Sequence, residues 1–195
     1  MLTAIGIAGS ARRGGNSTTV MRAVLAGAAA GGAATEEVRL DELLFHGCRG
    51  CEPCTDDATC RIDDALTPVL ARVRAADIWV LAAPIYYDGV SGQLKLFFDR
   101  LCHLTHEGGP LKPQLVGPRA AAIVVTYEDK PRDDYRDVAQ RLANYLPWMG
   151  EFVAVEVLAE ARLGPSDAAA GQAELLERAR QTGGRLCDAL AGAQK

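Results

Sequence analysis

Three stretches of the chain carry residues whose types and spacing suit chemistry. The first is Gly9-Ser10-Ala11-Arg12-Arg13-Gly14-Gly15-Asn16-Ser17-Thr18, between an apolar run at residues 2–8 that reads as a buried strand and an Ala-rich segment at 19–30 that reads as a helix. The first N–H groups of a helix lack internal partners, and the helix dipole adds partial positive charge there. Glycines let the backbone close around an anion. Ser10, Asn16, Ser17 and Thr18 add donors, and Arg12 or Arg13 adds charge. The combination favours a phosphate-binding loop over an ordinary capped helix start. The dinucleotide fingerprint G-x-G-x-x-G is missing. Gly9 and Gly14 have the spacing of a triphosphate-binding loop, but no Lys-Ser/Thr follows. A monophosphate is the guest that remains.

The second stretch is C-x2-C-x2-C-x5-C, which places Cys48, Cys51, Cys54 and Cys60, four of the six cysteines, in one short segment. Soft thiolates at this spacing suit an iron–sulfur cluster. Zinc, or no metal at all, are the alternatives, because spacing alone does not choose the metal. A disulfide framework would belong to a secreted protein. No basic region precedes the first apolar stretch, as a signal peptide would require, and no apolar run approaches the ~18 residues of a membrane span. A cytoplasmic protein with reduced thiols is expected.

The third stretch is Pro84-Ile85-Tyr86-Tyr87-Asp88-Gly89-Val90-Ser91, directly after a continuous apolar run at 78–83. A Pro-led backbone and two aromatic rings suit the face and edge of a planar heterocycle; tyrosines that merely pack are the alternative. Thr126 and Tyr127 stand at the corresponding end of a later apolar run, 120–125.

The elements that must hold these stretches alternate. Strands are expected at 2–8, 37–40, 78–83, 120–125 and 152–158, with helices between and after them. Asp63 and Asp64 read as caps of one helix and Ser91 as the cap of the next. The rhythm predicts an α/β fold: a flavodoxin-like, doubly wound, five-stranded parallel sheet of order 2-1-3-4-5 with helices on both faces. Ligands of such sheets sit beyond the carboxyl ends of the strands, where the first and third stretches fall. The 195 residues, 49% hydrophobic and 24% charged, suit one domain spanning 1–195, with a cysteine-rich insertion at 46–62. A net charge of −4 argues against general binding to nucleic acid or anionic membranes. Leu94, Phe97, Phe98 and Leu101 form an apolar stripe suited to core or subunit interface, with Lys95, Asp99 and Arg100 off it. Cys102 and Cys187 are assigned to the core, and His46, His103 and His106 show no ligand pattern.

Gly9-Ser10-Ala11-Arg12 with Asn16-Ser17-Thr18 resembles the FMN phosphate loop of the NADPH-dependent FMN reductase family, within the flavodoxin-like superfamily. Pro84-Ile85-Tyr86-Tyr87, followed by Leu94-Lys95-Leu96-Phe97-Phe98-Asp99-Arg100, is similar to that family's flavin-ring loop and its following helix. The cysteine stretch with Ile62-Asp63-Asp64 resembles the compact motif of the iron–sulfur flavoproteins, a branch of the same family. The likeness is good from residue 1 to about 103.

It implies an FMN phosphate held by Ser10, Arg12, Asn16, Ser17 and Thr18. It also implies an isoalloxazine ring against Pro84, Ile85, Tyr86, Tyr87, Asp88 and Gly89, with Thr126 and Tyr127 completing the site. Cys48, Cys51, Cys54 and Cys60 would be ligands of a [4Fe–4S] cluster. The activity implied is an FMN-dependent oxidoreductase that takes hydride from NAD(P)H and passes electrons to a small acceptor such as a quinone, a flavin or a metabolite. One alternative is an electron-transfer iron–sulfur flavoprotein served by a ferredoxin-like partner. The other is a non-catalytic binding module. Tyr86 and Tyr87 are positioning candidates, since no acid–base pair or triad is present. A homo-oligomer is implied too. The departure from the family pattern is Tyr127-Glu128-Asp129-Lys130-Pro131, where a Gly-rich loop is usual. Acidic groups there would lower the flavin potential by disfavouring the anionic hydroquinone.

Overall fold

The computed structural model describes residues 1–51, 54, 59–105, 112–128, 131 and 134–193. Strands β1 (Thr3–Ala8), β2 (Ala34–Arg39), β3 (Ile78–Tyr86), β5 (Arg119–Thr126) and β6 (Phe152–Glu160) form one parallel sheet of order β2-β1-β3-β5-β6. A two-residue strand, β4 (Gly89–Val90), folds back antiparallel on β3. Counting the five parallel strands alone, the order is the expected 2-1-3-4-5, which defines the flavodoxin-like arrangement.

Strand alternation explains the two layers around the sheet. Ile5, Ile7, Trp79, Leu81, Ile123 and Val125 face one side. There they meet α2 (Thr67–Ala75), α3 (Gly92–Arg100) and α4 (Arg136–Tyr145). Small residues, Ala4, Ala8, Ala82, Ala120 and Ala122, dominate the other side, against α1 (Asn16–Ala30) and α5 (Ala173–Ala193). Those two helices meet through glycine. A Cβ on Gly27 would lie 1.8 Å from the Arg180 carbonyl oxygen, and one on Gly183 would lie 2.0 Å from that of Val24. At the β2 edge, Glu36 pairs with Arg72 and Glu37 with Arg22, and charge of this kind discourages further strand pairing.

Several sequence expectations change in detail. Helix α1 begins at Asn16, so Asn16, Ser17 and Thr18 form its first turn and are not loop residues. Helix α2 begins at Thr67 with no side-chain cap; Asp64 accepts the Leu66 and His46 N–H groups, both at 3.0 Å, and forms an ion pair with Arg100. Pro68 sits in the first turn, where its missing N–H costs nothing. Cys102 is exposed, whereas Cys187 is buried as expected. Arg100, expected off the apolar stripe, has a fully buried side chain. His103 is buried, with Nδ1 2.7 Å from the Arg100 carbonyl oxygen, and His106 lies outside the described residues. No helix among the described residues is long and apolar enough to cross a membrane.

Candidate functional site

The carboxyl ends of β1, β3 and β5 bring the predicted stretches together. Residues 9–15 link β1 to α1, and Gly15 caps the helix without a side-chain bond. The first backbone bond into the helix is Thr19 N–H to the Gly15 carbonyl at 2.9 Å, which leaves the N–H groups of Asn16, Ser17 and Thr18 as the orphan donors of the first turn. Two side-chain hydroxyls accompany them. Ser17 Oγ and Thr18 Oγ1 are buried and have no hydrogen-bond partner among the described residues. A buried hydroxyl without a partner costs about 1–3 kcal/mol, so two at one helix start mark a place where an anion would be welcome. These groups fit the phosphate of FMN.

The other loop residues divide by role. Ser10 is buried, and its Oγ accepts the Arg12 N–H at 3.2 Å, which shapes the turn. The Arg12 side chain is exposed at the mouth of the loop. Asn16 is used differently from a phosphate donor. Its Nδ2 donates to the carbonyls of Leu163 and Pro165, both at 2.8 Å, and its Oδ1 accepts the Ala169 N–H at 2.9 Å. Asn16 thus ties the helix start to the loop after β6. Arg39, which sequence reasoning missed, braces the loop from behind: its Nη2 bonds both Asp41 oxygens at 2.9 Å and reaches the Ala11 carbonyl at 3.4 Å. Asp41 is occupied by that pair.

Pro84, Ile85 and Tyr86 end β3, and the chain turns through Tyr87 and Asp88 into β4. Tyr87 (φ 47°) and Asp88 (φ 59°) both occupy the left-handed region. Asp tolerates it; Tyr does so only at a cost of roughly 1–2 kcal/mol, and the Tyr87 ring stands fully in solvent. Backbone strain beneath an exposed ring is the pattern of a ligand clamp. Replacing Tyr87 with Gly should therefore leave the thermal midpoint of the ligand-free protein unchanged or raised, while weakening flavin binding. Calorimetry and a flavin titration on the same variant check both halves. Asp88 accepts a hydrogen bond from the Tyr135 hydroxyl, and that bond pushes the Tyr135 phenol above its usual range. Tyr135, at the start of α4, also packs edge-on against Tyr127, with ring centroids 5.0 Å apart.

Ser91 locks the two loops to each other. Its Oγ donates to the Gly9 carbonyl at 2.6 Å and accepts the Leu94 N–H at 3.4 Å, capping α3 as expected. A Cβ at Gly9 would lie 2.8 Å from Leu94 Cβ, so only glycine permits this approach. Ser91→Ala should lower stability by about 1–2 kcal/mol, the usual value of a helix cap, and loosen the phosphate loop with it. Urea unfolding with and without FMN would read the two effects separately.

Thr126 is buried opposite Pro84 on β3 and Glu160 on β6. Tyr127 is mostly buried; its N–H donates to the Glu160 carbonyl and its own carbonyl accepts the Leu163 N–H, both at 3.1 Å. Glu128 lies against Gly164, where an added Cβ would come 2.9 Å from its Oε1, so its carboxylate rests on the loop after β6. Asp129 and Lys130 lie outside the described residues.

The cysteines lie beside this site. Cys48 is exposed, Cys51 and Cys60 are half-buried and Cys54 is buried. Burial pushes the Cys54 thiol up, and Cys102, Cys51, Cys48 and Cys60 push it further. Among the described residues, no three His, Cys, Asp or Glu side chains converge closely enough to enclose a single metal ion. Four cysteine thiols in one segment are donors of the type that would fit an iron–sulfur centre or zinc. An apolar groove of about 730 Å³ is shared by the ring hairpin and the cysteine side, lined among others by Val90, Phe98, Tyr145, Trp148, Cys48 and Cys102.

A parallel sheet of this order, with a helix start and an aromatic hairpin at its switch point, defines the flavodoxin-like class of fold, whose ligands sit beyond the carboxyl ends of the strands. Over residues 2–156 the chain matches the family described as NADPH-dependent FMN reductase, and it belongs to that family. It is 37% identical over 99 residues to an iron–sulfur flavoprotein of Methanocaldococcus jannaschii, covering 51% of each chain. It is 32% identical over 124 residues to one of Archaeoglobus fulgidus, covering 64% of this chain and 54% of the relative. The chain thus spans about half the length of the curated relatives it matches. Among solved structures it resembles an NAD(P)H:quinone oxidoreductase from Methanothermobacter marburgensis, with TM-score 0.67, 16% identity and coverage of 95% of this chain and 98% of that one.

Proposed function

We propose that the protein is a cytoplasmic FMN-dependent oxidoreductase that takes hydride from NAD(P)H and delivers electrons to a small acceptor such as a quinone, a flavin or a metabolite. The observation that supports it most is the α1 start, where two buried hydroxyls without partners among the described residues share a turn with three orphan N–H groups. FMN, when bound, supplies the redox chemistry. The protein's residues do the rest. Ser17, Thr18 and the first N–H groups of α1 hold the phosphate, Ser10 shapes the loop and Arg12 adds charge at its mouth. Pro84, Ile85, Tyr86, Tyr87, Asp88 and Gly89 form the platform for the ring, with Thr126 and Tyr127 behind it. Ser91 keeps the phosphate loop and the platform in register. Tyr86 and Tyr87 orient the bound ring and limit water at its face. The apolar groove lined by Val90 and Phe98 suits a flat, weakly polar acceptor. The exposed Leu96 on α3, Tyr145 at the end of α4 and Trp148 in the turn after it support self-association through that face.

A second reading is favoured by the close sequence spacing of four cysteines and by relatives named iron–sulfur flavoproteins. In it, Cys48, Cys51, Cys54 and Cys60 hold a [4Fe–4S] cluster, and the protein exchanges electrons with a ferredoxin-like partner. Anaerobic titration of the FMN-loaded protein with NADPH and with NADH, with iron and acid-labile sulfide assayed on the same sample, separates the two. Bleaching of the flavin by either nucleotide supports the reductase. Stoichiometric iron and sulfide, with bleaching only by a reduced ferredoxin, supports the electron-transfer protein.

A further inference from the structure

Helix α3 spans the distance between the flavin loops and the cysteine segment. Its first end is fixed by Ser91 to the phosphate loop. Its nine residues run about 13 Å to Arg100, whose side chain is fully buried. A buried guanidinium needs a partner for each of its five N–H donors, and here it has five. Nε donates to Cys60 Sγ at 3.1 Å. Nη1 donates to the His46 carbonyl and to Asp64 Oδ2, both at 2.8 Å. Nη2 donates to the Ile62 carbonyl at 3.2 Å and to Asp64 Oδ1 at 3.4 Å. His46 and Asp64 lie on either side of the cysteines in sequence. One side chain therefore grips both ends of the segment and one of its sulfurs.

We propose that Arg100 is the positioning residue of the cysteine segment. It clamps both ends of residues 46–62 to α3, and through its Nε–H it fixes the Cys60 sulfur and draws electron density from it. The clamping follows from the ladder of bonds to His46, Ile62 and Asp64. The effect on the sulfur rests on the reading in which Cys60 ligates a cluster. A hydrogen bond and a positive charge at a ligand sulfur favour the more negative, reduced state of such a cluster, so Arg100 raises its potential relative to the flavin. The rest of the clamp is neutral amide or the single carboxylate of Asp64. Lysine offers three donors from one atom and does not reproduce the fork.

The test compares Arg100→Gln, Arg100→Lys and Asp64→Asn in the full FMN-loaded chain. In metal-free protein, trypsin cleavage after Arg49 and Arg61 reports the clamp. Arg100→Gln should be cut at least tenfold faster than wild type and Arg100→Lys at an intermediate rate, with FMN affinity retained. After anaerobic reconstitution with iron and sulfide, Arg100→Gln should lower the cluster potential by the equivalent of a tenfold change in the reduced-to-oxidised ratio, about 59 mV for one electron, with the FMN potential unmoved. Asp64→Asn, which keeps the guanidinium and its Nε–sulfur bond but removes a negative charge, should be cut faster without any lowering of the potential. Wild-type cleavage rates in an Arg100→Gln protein that still binds FMN would overturn the clamp. An unshifted cluster in Arg100→Gln, or an equal shift in Asp64→Asn, would overturn the role of the Nε–H. Should Arg100→Gln fail to fold, Arg100→Lys and Asp64→Asn decide the clamp by the same cleavage comparison, and the Arg100→Lys potential decides the second part. Wild-type protein that takes up no iron or sulfide refutes the cluster reading, and with it the tuning, while the cleavage comparison still decides the clamp.

Discussion

Replacing the two buried hydroxyls at the α1 start, as Ser17→Ala with Thr18→Val, is expected to weaken FMN binding by roughly 100-fold or more while leaving the ligand-free protein as stable as before or more so. Two opposed magnitudes lead to this. A hydrogen bond to a charged group is worth about 1.5–3 kcal/mol, and each 1.4 kcal/mol is about tenfold in affinity, so losing two such bonds to a phosphate exceeds two decades. Without the ligand the same hydroxyls are buried and unpartnered among the described residues, which is a cost in the folded state. Removing them relieves that cost. Alanine is also a better helix residue than serine, and valine nearly matches threonine in shape. Quenching of flavin fluorescence on titration gives the affinity, and urea unfolding of the ligand-free variant gives the stability. A variant that loses stability and keeps its affinity would mean that the hydroxyls serve the fold and not a ligand.

Asp64→Ala is expected to cost about 3–5 kcal/mol of folding stability, the usual penalty for removing one partner of a buried ion pair. The Arg100 and Asp64 side chains are 0% and 7% exposed, so the guanidinium left behind has no access to water. Burial pushes the Asp64 carboxyl up. Hydrogen bonds from Arg100 and from the His46 and Leu66 N–H groups outweigh that and hold it below the usual carboxylate range. The sign of the pH effect follows. A carboxylate depressed by folding contributes stability that is complete above its unfolded pKa, near 3.8, and is lost as pH falls through the lower folded value. Wild-type protein should therefore lose stability in acid below about pH 4. Asp64→Asn, destabilised throughout, should lack that part of the slope. Urea midpoints from pH 3 to pH 7 for the two proteins, differing by a constant amount over the whole range, would show that Asp64 is not the titrating group.

Much of this architecture is legible in the sequence because its signals are local. Continuous apolar runs at 78–83 and 120–125 mark strands covered on both faces, their alternation with helices marks a parallel sheet, and five such strands suit the flavodoxin-like order found here. The Gly- and hydroxyl-rich segment after β1 and the Tyr-rich segment after β3 were placed by the same rule, since both lie at carboxyl ends of strands. What the sequence hides is partnership across long separations. Asn16 reads as a phosphate donor but bonds to residues about 150 positions away. Asp64 reads as a helix cap but pairs with Arg100. Arg100 carried a signal that could have found it: it stands three residues after Phe97, so helical spacing puts it on the buried face, and a charge there requires a partner. Cys102 reads as core because its neighbours are apolar, yet the short 3₁₀ turn at Leu101–Leu104 turns it outward.

The central claim is that the α1 start is a monophosphate site serving a flavin on the β3 hairpin. Calorimetric titration with FMN and with riboflavin, which shares the ring and lacks the phosphate, tests it most directly. One FMN per chain, bound at least about 100-fold more tightly than riboflavin, is the predicted result, because the phosphate contributes the charged hydrogen bonds at Ser17 and Thr18. Equal affinity for the two, or no binding of either, would contradict it.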